Sequence, residues 1–535
     1  MKVLVFTPYS GIWVNALLNQ QLVSILDSKI FEIVQVTCRE NFFSNCSVHI
    51  SKTSTLTFSK NAFADLCKDC QKKSDYLKNI KNVRRVSVAE YELESKLEKE
   101  VNLAVKFLES NFSYRGVKIF PIAMYETILY FKKSSTVMNE EEKNFYLDIC
   151  ASVIKSIDAA YAILSKENPN IVICESPQYA ITGSFAQVAK IFNIPVYGTF
   201  TSPHMLERSN SIDIWRWDNY SFKPYLKNWK YSEDSLNMKQ RRRLNNHLTI
   251  LANSKSPWVY SPPARKMSTR KFFNIEPNNK ILLAVINSTD EIFAHKIRVE
   301  DDEIYESRVY GSQVSWVKDL INWKSNYPDL ELIIRLHPRE FANKRENNAS
   351  ESVRQWHFLQ NKLPPKVHID SPDKMFSITD HLTEVTAVTT GWSSFGMQAI
   401  LSGIPVVTYD KNLSIYPEGI CLSGDTKEQY YNNLHTVVYE NVPNKIKAIS
   451  NWLDYSWREG SLYLGGGIFE RKAVKKIFMR FPKPRALSER YFLWQIRKFD
   501  SKLKPSQKGR SKVNKLISGK KNSFFDISEI NNEFL

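Results

Sequence analysis

No stretch of this chain approaches the roughly 18 consecutive apolar residues that a membrane-spanning helix needs. The longest candidates, such as ILLAVI (Ile281 to Ile286), are strand-sized. The protein is therefore not expected to span a membrane. The opening MKVLVFTPYSG also lacks an apolar run long enough for a secretory signal, because Pro8 and Gly11 follow it at once. It reads as a first β-strand and its loop, and the expected location is the cytoplasm. Cysteine is sparse, with seven in 535 residues, so reduced thiols rather than a disulfide framework are the default. Cys38, Cys46, Cys67 and Cys70 cluster near the start, and Cys67 with Cys70 form a C-x-x-C. Four thiolates suit a structural zinc ion, but the other spacings match no common finger. Four unconnected thiols and no metal are the expectation. Acidic residues are in deficit too, 56 Asp plus Glu against 74 Lys plus Arg, for a net charge of +18. That excess suits nucleic acid, anionic lipid or a phosphorylated substrate.

Hydrophobic residues at 43% and charged residues at 24% are those of a globular protein, and a chain this long exceeds one core. Strand-like runs alternate with helical periodicity in two separate stretches, the pattern of parallel sheets covered by helices. The first stretch holds KVLVF (Lys2 to Phe6), FEIVQV (Phe31 to Val36), NIVICE (Asn170 to Glu175) and IPVYG (Ile194 to Gly198). Val153, Ile154, Ile157, Tyr161 and Leu164 have helical spacing between the strands, as do Ile181, Phe185, Val188, Ala189 and Phe192. The part from about 51 to 144, rich in Lys, Glu and Asn, shows mainly helical patterns and reads as an insertion. From Phe200 to Ser256, WRWDNY and KQRRRLNNH read as the connection between domains, with SPPAR as the breaker.

The second stretch runs from KILLAVI through a helix with Val314, Val317, Leu320 and Ile321 inward to LELIIRLHP, then KVHID, TAVTT and IPVVTYD. LELIIRL is nearly all apolar, as a central strand buried on both faces requires. The expected fold class is α/β: two Rossmann-like lobes, 1–256 and 257–455, then a basic helical tail, 456–535. The tail interleaves Lys and Arg with Phe, Tyr, Trp and Leu, yet it resembles no folded nucleic-acid reader. Two readings stay open for it. An anionic membrane surface attracts such a segment by about 1 kcal/mol per basic residue; the plainer reading is a solvated tail with a helix packed back on the first lobe.

The densest local signal is VTTGWSSFGMQAILSGIPVVTYD, which reads as strand, tight loop, helix, turn and strand. Gly391 permits close backbone approach, Ser393 or Ser394 caps the helix, Gly403 ends it and Pro405 opens the next strand. Unpaired N–H groups at a sheet's carboxyl edge make a phosphate site. The plainer alternative is a helix merely capped by serine. Arg335, His337, Pro338 and Arg339 follow a buried strand directly and face the same edge. A histidine there donates to a phosphate as the leaving group departs, and Pro338 stiffens the turn that aims it.

The HP pair followed by SS in the second lobe resembles the paired motifs of bacterial sialyltransferases and polysialyltransferases. INSTDE after a strand, RLHPRE and SSFGMQAILSGIPVV are similar to the capsule polysaccharide biosynthesis family, which includes transferases of Kdo-type sugars. The resemblance covers about 279–410, and the first lobe only by architecture. It implies a GT-B fold with a cleft between the lobes, acceptor bound by the first lobe and nucleotide sugar by the second. It further implies catalysis without a required metal or other cofactor. By the same resemblance His337, Ser393 and Ser394 contact the phosphate of a CMP-sugar and Pro338 lines the nucleotide site. Gln398, one turn into the helix, is a candidate for ribose or base, and Arg339 for the charge developing on CMP. The acidic pair plus glycine that supplies the base in the sialyltransferases is not evident. Glu175, at the end of NIVICE, is the nearest substitute for taking the acceptor proton, the alternative being a carboxylate that caps the helix after Pro177. Asp290 and Glu291 are the runner-up acids, or else order the second lobe's first loop. Ser10 and Gly11 are expected to approach the donor.

The expected activity is transfer of an acidic keto-sugar (Kdo, sialic, pseudaminic or legionaminic type) from CMP to a glycan or lipid-linked acceptor in bacterial surface polysaccharide synthesis. The enzyme would lie peripherally on the inner face of the cytoplasmic membrane, without a nucleic-acid partner. A UDP-hexose transferase, a CDP-glycerol-type glycerophosphotransferase, a sugar-nucleotide epimerase and a non-enzymatic polysaccharide-binding or export protein are the alternatives.

Overall fold

The computed structural model describes residues 1–11, 28–38, 46–48, 60–76, 82–91, 109–201, 211–217, 236–253, 259–298, 307–343, 348–372, 376–459 and 461–463, Trp229, and parts of 16–26 and 514–518. Two compact units emerge. Met1–Glu126, Met138–Tyr220 and Trp457–Leu535 form the first, and Thr127–Val137 with Ser221–Ser456 form the second.

The first unit is built on β1 (Lys2–Phe6), β2 (Glu32–Thr37), β3 (Val83–Ser87), a small β4–β5 hairpin (Ser113–Tyr114, Val117–Lys118), β6 (Ile171–Glu175), β7 (Val196–Thr201) and β8 (Ser211–Arg216). Its main sheet runs β8-β7-β6-β1-β2-β3, parallel except that β8 pairs antiparallel with β7. Chain order steps outward from β1 to β3, then returns to the other side at β6, so the switch point lies between β1 and β6. Long helices cover the strands because their sequences start and stop cleanly. In Glu140–Glu167, Asn139 accepts from Glu142 N at 3.0 Å while Glu142 accepts from Asn139 N at 2.9 Å. This capping box satisfies two orphan donors, and Asn168 ends the helix in the left-handed region at φ 44°. Inside the unit, Phe6 stacks on Phe185 at 4.1 Å.

Two expectations are corrected here. The stretch 51–144 is not purely helical: alongside the helices Lys60–Tyr76 and Phe120–Phe131 it contributes β3 to the main sheet, parallel to β2 from Ile33↔Val83 to Thr37↔Ser87. An edge strand of sequence VRRVS carries too little apolar alternation to be seen. Nor is all of 200–256 a connection, because β8 adds a strand with Thr201↔Ile212 in register.

The second unit holds β9 (Lys280–Val285), β10 (Leu330–Arg335), β11 (Val367–Asp370), β12 (Ala387–Thr390), β13 (Val406–Thr408) and β14 (Leu422–Ser423). The order is β11-β10-β9-β12-β13-β14 and every pairing is parallel. This is the doubly wound 3-2-1-4-5-6 order, with its switch point between β9 and β12. All six residues of β10 are buried, each large apolar side chain contributing about 1.5–3 kcal/mol relative to exposure. One face packs Leu282, Ala284, Leu332 and Ile334 under Trp316, Tyr409 and Tyr430. Trp316 donates to the Tyr430 hydroxyl at 2.8 Å, so this buried indole leaves no polar atom stranded.

β15 (Ser461–Tyr463) then returns to the first unit, antiparallel to β8. Apart from a few residues near 514–518, the rest of the expected basic tail lies outside the described residues. Among the described residues no helix is long and apolar enough to cross a membrane.

Candidate functional site

In the second unit, the loops after β9, β10 and β12 all leave from the carboxyl edge around the switch point. The loop after β10 turns at His337, which caps the short turn Pro338–Glu340: its Nδ1 accepts from Arg339 N at 3.2 Å. With Nδ1 accepting, the ring proton belongs on Nε2, which is then a donor. Burial, followed by the charges of Arg339, Arg335 and Lys132, holds the His337 pKa down to about 3. His337 is thus a neutral hydrogen-bond donor at neutral pH. Tyr260 packs against the ring at 6.0 Å, edge to face.

The structure gives the two arginines of RLHPR other partners. Arg335, 1% exposed, binds Asp370 through Nη1 at 2.5 Å, and Asp370 also meets His381 Nε2 at 2.9 Å. Its Nε and Nη2 have no hydrogen-bond partner among the described residues. Arg339 is buried and donates from Nε to Asp290 at 2.8 Å and from Nη2 to Leu129 O at 2.7 Å. Glu340 accepts from Thr289 N at 3.0 Å. The INSTDE and RLHPRE segments are therefore tied together by Asp290–Arg339 and Thr289–Glu340. Burial raises the Asp290 pKa to about 6 even though Arg339 opposes the shift. Glu291 is half-buried and stands 4.0 Å from Arg339.

The loop after β12 owes its path to two glycines. A Cβ on Gly391 would stand 2.8 Å from the Tyr409 ring, and one on Gly396 would collide with the Tyr416 hydroxyl. That hydroxyl donates to Ser393 O and fixes the loop from below. Ser393 Oγ accepts from Phe395 N at 3.3 Å. Ser394 sits at the cap position of Phe395–Leu401, is exposed, and makes no side-chain cap bond. Pro338 and Gln398 are half-buried, and Gly403 closes the helix at φ +83°. Among the described residues no hydrogen bond joins His337 to Ser393 or Ser394; the sheet order alone brings them to one edge.

In the first unit, Glu175 ends β6 at that sheet's switch point, buried, with Oε2 accepting from Asn19 at 2.9 Å. Ser10 is buried in the loop after β1. Gly11 has a packing reason of its own, since a Cβ would lie 2.4 Å from Val48, and its N–H donates to Cys70 Sγ at 3.1 Å. Cys67 and Cys70 share the helix Lys60–Tyr76, and among the described residues no group of three or more His, Cys, Asp or Glu is placed to hold a metal.

Sequence reasoning missed four residues. Glu126 is buried in the otherwise apolar helix FPIAMYETILYF, accepting from Ser47 Oγ and Ala180 N, each at 3.0 Å. Burial lifts its pKa to about 7. A lone carboxylate in an apolar run was the available signal. His295, whose pKa burial lowers to about 4, lies 6.0 Å from Trp392 of the serine loop. Tyr416 had no signal. Asn287, a polar residue directly after a buried strand, carried the same signal as His337.

Neither a protein-family model nor a curated protein sequence matches the chain. Among solved structures, a beta Kdo 2,4 transferase, KpsC of Thermosulfurimonas dismutans, is similar over 53% of this chain and 80% of its own, at 13% identity and a TM-score of 0.31. The UDP-GlcNAc 2-epimerase of Methanocaldococcus jannaschii, in complex with UDP-GlcNAc and UDP, is similar over 85% and 98%, at 13% identity and a TM-score of 0.27. Likenesses this distant leave the functional argument to the residues themselves.

Proposed function

We propose that the chain is a nucleotide-sugar-dependent glycosyltransferase of the GT-B type, acting in surface polysaccharide synthesis and moving an acidic keto-sugar from CMP to a glycan or lipid-linked acceptor. The observation that carries this reading is the switch point of the second sheet, where His337, Ser393 and Ser394 leave the same carboxyl edge as donors. Such an edge binds a nucleotide phosphate. In this reading His337 Nε2–H and the serines hold the phosphate of CMP and meet the charge that grows there as the glycosidic oxygen leaves. The acceptor oxygen bonds to the anomeric carbon, the bond from that carbon to the phosphate oxygen breaks, and the acceptor proton passes to a carboxylate. Glu175 and Glu126 of the first unit are the candidates for that base. Arg335 and Arg339 are proposed as framework: Asp370 holds the first and Asp290 the second. Pro338 and Gln398 are proposed to contact the nucleotide, and the basic tail is proposed to meet an anionic membrane surface.

Calorimetric titration with CMP, CDP, UMP and UDP tests the reading. CMP should bind selectively and raise stability, by about 2.7 kcal/mol at a hundredfold excess over Kd. His337→Ala, and Ser393→Ala with Ser394→Ala, should each lose that effect while keeping the native far-UV spectrum. Selectivity for UDP would replace this reading with a hexose transferase or an epimerase.

A further inference from the structure

Asn287 directly follows Ile286 at the end of the β9 run, beside the switch point. Its side chain is 4% exposed, and neither Nδ2 nor Oδ1 has a hydrogen-bond partner among the described residues. Its main chain, by contrast, is held on both sides by one residue. Asn287 N donates to Gln313 Oε1 at 2.8 Å, and Gln313 Nε2 donates to Asn287 O at 3.0 Å. The local turn therefore does not need the carboxamide: Gln313 fixes the backbone, and Ser288 and Thr289 bond to Asp290 and Glu340. Leu282, Ala284 and Ile286 face the aromatic core. Alternation puts Val285, and Asn287 two residues on, on the opposite side. Val285 pairs there in register with Arg335 and Thr390, the strand ends that lead to His337 and to the serine loop.

A buried polar group without a partner is costly, and a carboxamide doubly so, because it strands a donor and an acceptor together. We propose that the Asn287 carboxamide is a recognition group of the second unit's ligand site, reading a neutral edge that both donates and accepts, a hydroxyl pair or a base edge. An ionised phosphate diester does not fit, since it only accepts and would leave Oδ1 stranded. The inference rests on the nucleotide-site reading above and adds to it the group that selects the organic part of the ligand.

Its signature is an exchange of stability for binding. Asn287→Leu, nearly the same shape without polar atoms, should melt at or above the wild-type temperature without ligand, and Asn287→Ala gives a second variant free of steric demand. Both should bind CMP about tenfold more weakly or worse and inorganic phosphate as the wild type does. Ribose 5-phosphate separates the two edges: an equal loss for it assigns Asn287 to the hydroxyls, and a loss for CMP alone assigns it to the base. Lower melting with unchanged CMP affinity would make Asn287 structural and overturn the proposal, as would an equal loss for inorganic phosphate. If the wild type binds none of CMP, CDP, UMP or UDP, the nucleotide reading falls and this inference with it; nucleotide binding unaltered in both variants removes only the inference.

Discussion

At the switch point of the first sheet two buried carboxylates accept: Glu175 takes the Asn19 amide, and Glu126 takes Ser47 and the Ala180 N–H. At the switch point of the second sheet stand His337 with its proton on Nε2, the buried Asn287, an arginine neutralised by Asp370, and the half-buried Ser393 and exposed Ser394. The carboxylates of Asp290 and Glu340 there are tied to Arg339 and Thr289 N. The backbone device is the same in both units, an outward run of strands and a return to the other side of the first. The chemistry differs because it resides in the few side chains standing at strand ends. In the proposed reading the first edge takes a proton and the second holds an anion. Within the second unit Arg335 is paired with Asp370 and Arg339 with Asp290, whereas His337, Asn287 and the serines are uncharged.

The largest effect should come from breaking that frame. Asp370→Ala leaves Arg335 and His381 buried without their shared carboxylate, and urea unfolding should show a loss of about 3–5 kcal/mol. A loss below 1 kcal/mol would mean that Arg335 is not neutralised by this pair. Next comes the proton-holding character of the first unit. Burial raises the Glu126 pKa to about 7, against an ordinary value of 4.5, with Tyr9 and Cys46 close by. The folded state therefore binds the proton more tightly than the unfolded state, and this group's contribution to stability falls as pH rises from about 4.5 to about 7. Glu126→Gln should flatten that fall and be more stable than wild type at pH 8 by about 3 kcal/mol. In a transfer assay at pH 8 its rate, set beside that of Glu175→Gln, decides which carboxylate is the base, since only the base variant should lose turnover while still binding nucleotide. The smallest effect separates the two serines. Ser393→Ala removes the acceptor of Phe395 N and should cost about 1 kcal/mol. Ser394→Ala, exposed and without a cap bond, should stay within about 0.5 kcal/mol yet weaken CMP binding. Equal destabilisation by the two would erase the distinction between cap and ligand group.

The central strands and the serine-loop helix were legible because their signals are local. Leu332 to Ile334 form an unbroken apolar run, and Ser393, Gly403 and Pro405 punctuate a helix and the next strand. β3 and β8 were not, because their apolar content is diluted by Arg84 and Arg85 in the edge strand β3 and by Asp213 and Arg216 in β8, where pairing supplies what burial does not. β15 was invisible, since three residues acquire strand structure only by meeting β8. In the site, His337, Ser393 and Ser394 stood out as polar residues after buried strands. Arg335 and Arg339 stood out equally, and nothing in RLHPRE reveals that Asp370 and Asp290 hold them.

By itself the sequence determined which segments are buried strands, where the helices covering them begin and end, and which polar residues emerge at strand ends. Those properties follow from side-chain size, polarity and capping chemistry within a few residues of chain. Only the tertiary structure decided the strand order that carries His337, Asn287 and the serines to one edge. It also decided which arginines are neutralised, that burial raises the pKa of Glu126, and that the amide of Asn287 has no partner among the described residues. Each of these depends on residues tens to hundreds of positions apart, whose meeting is set by the packing of whole sheets and helices.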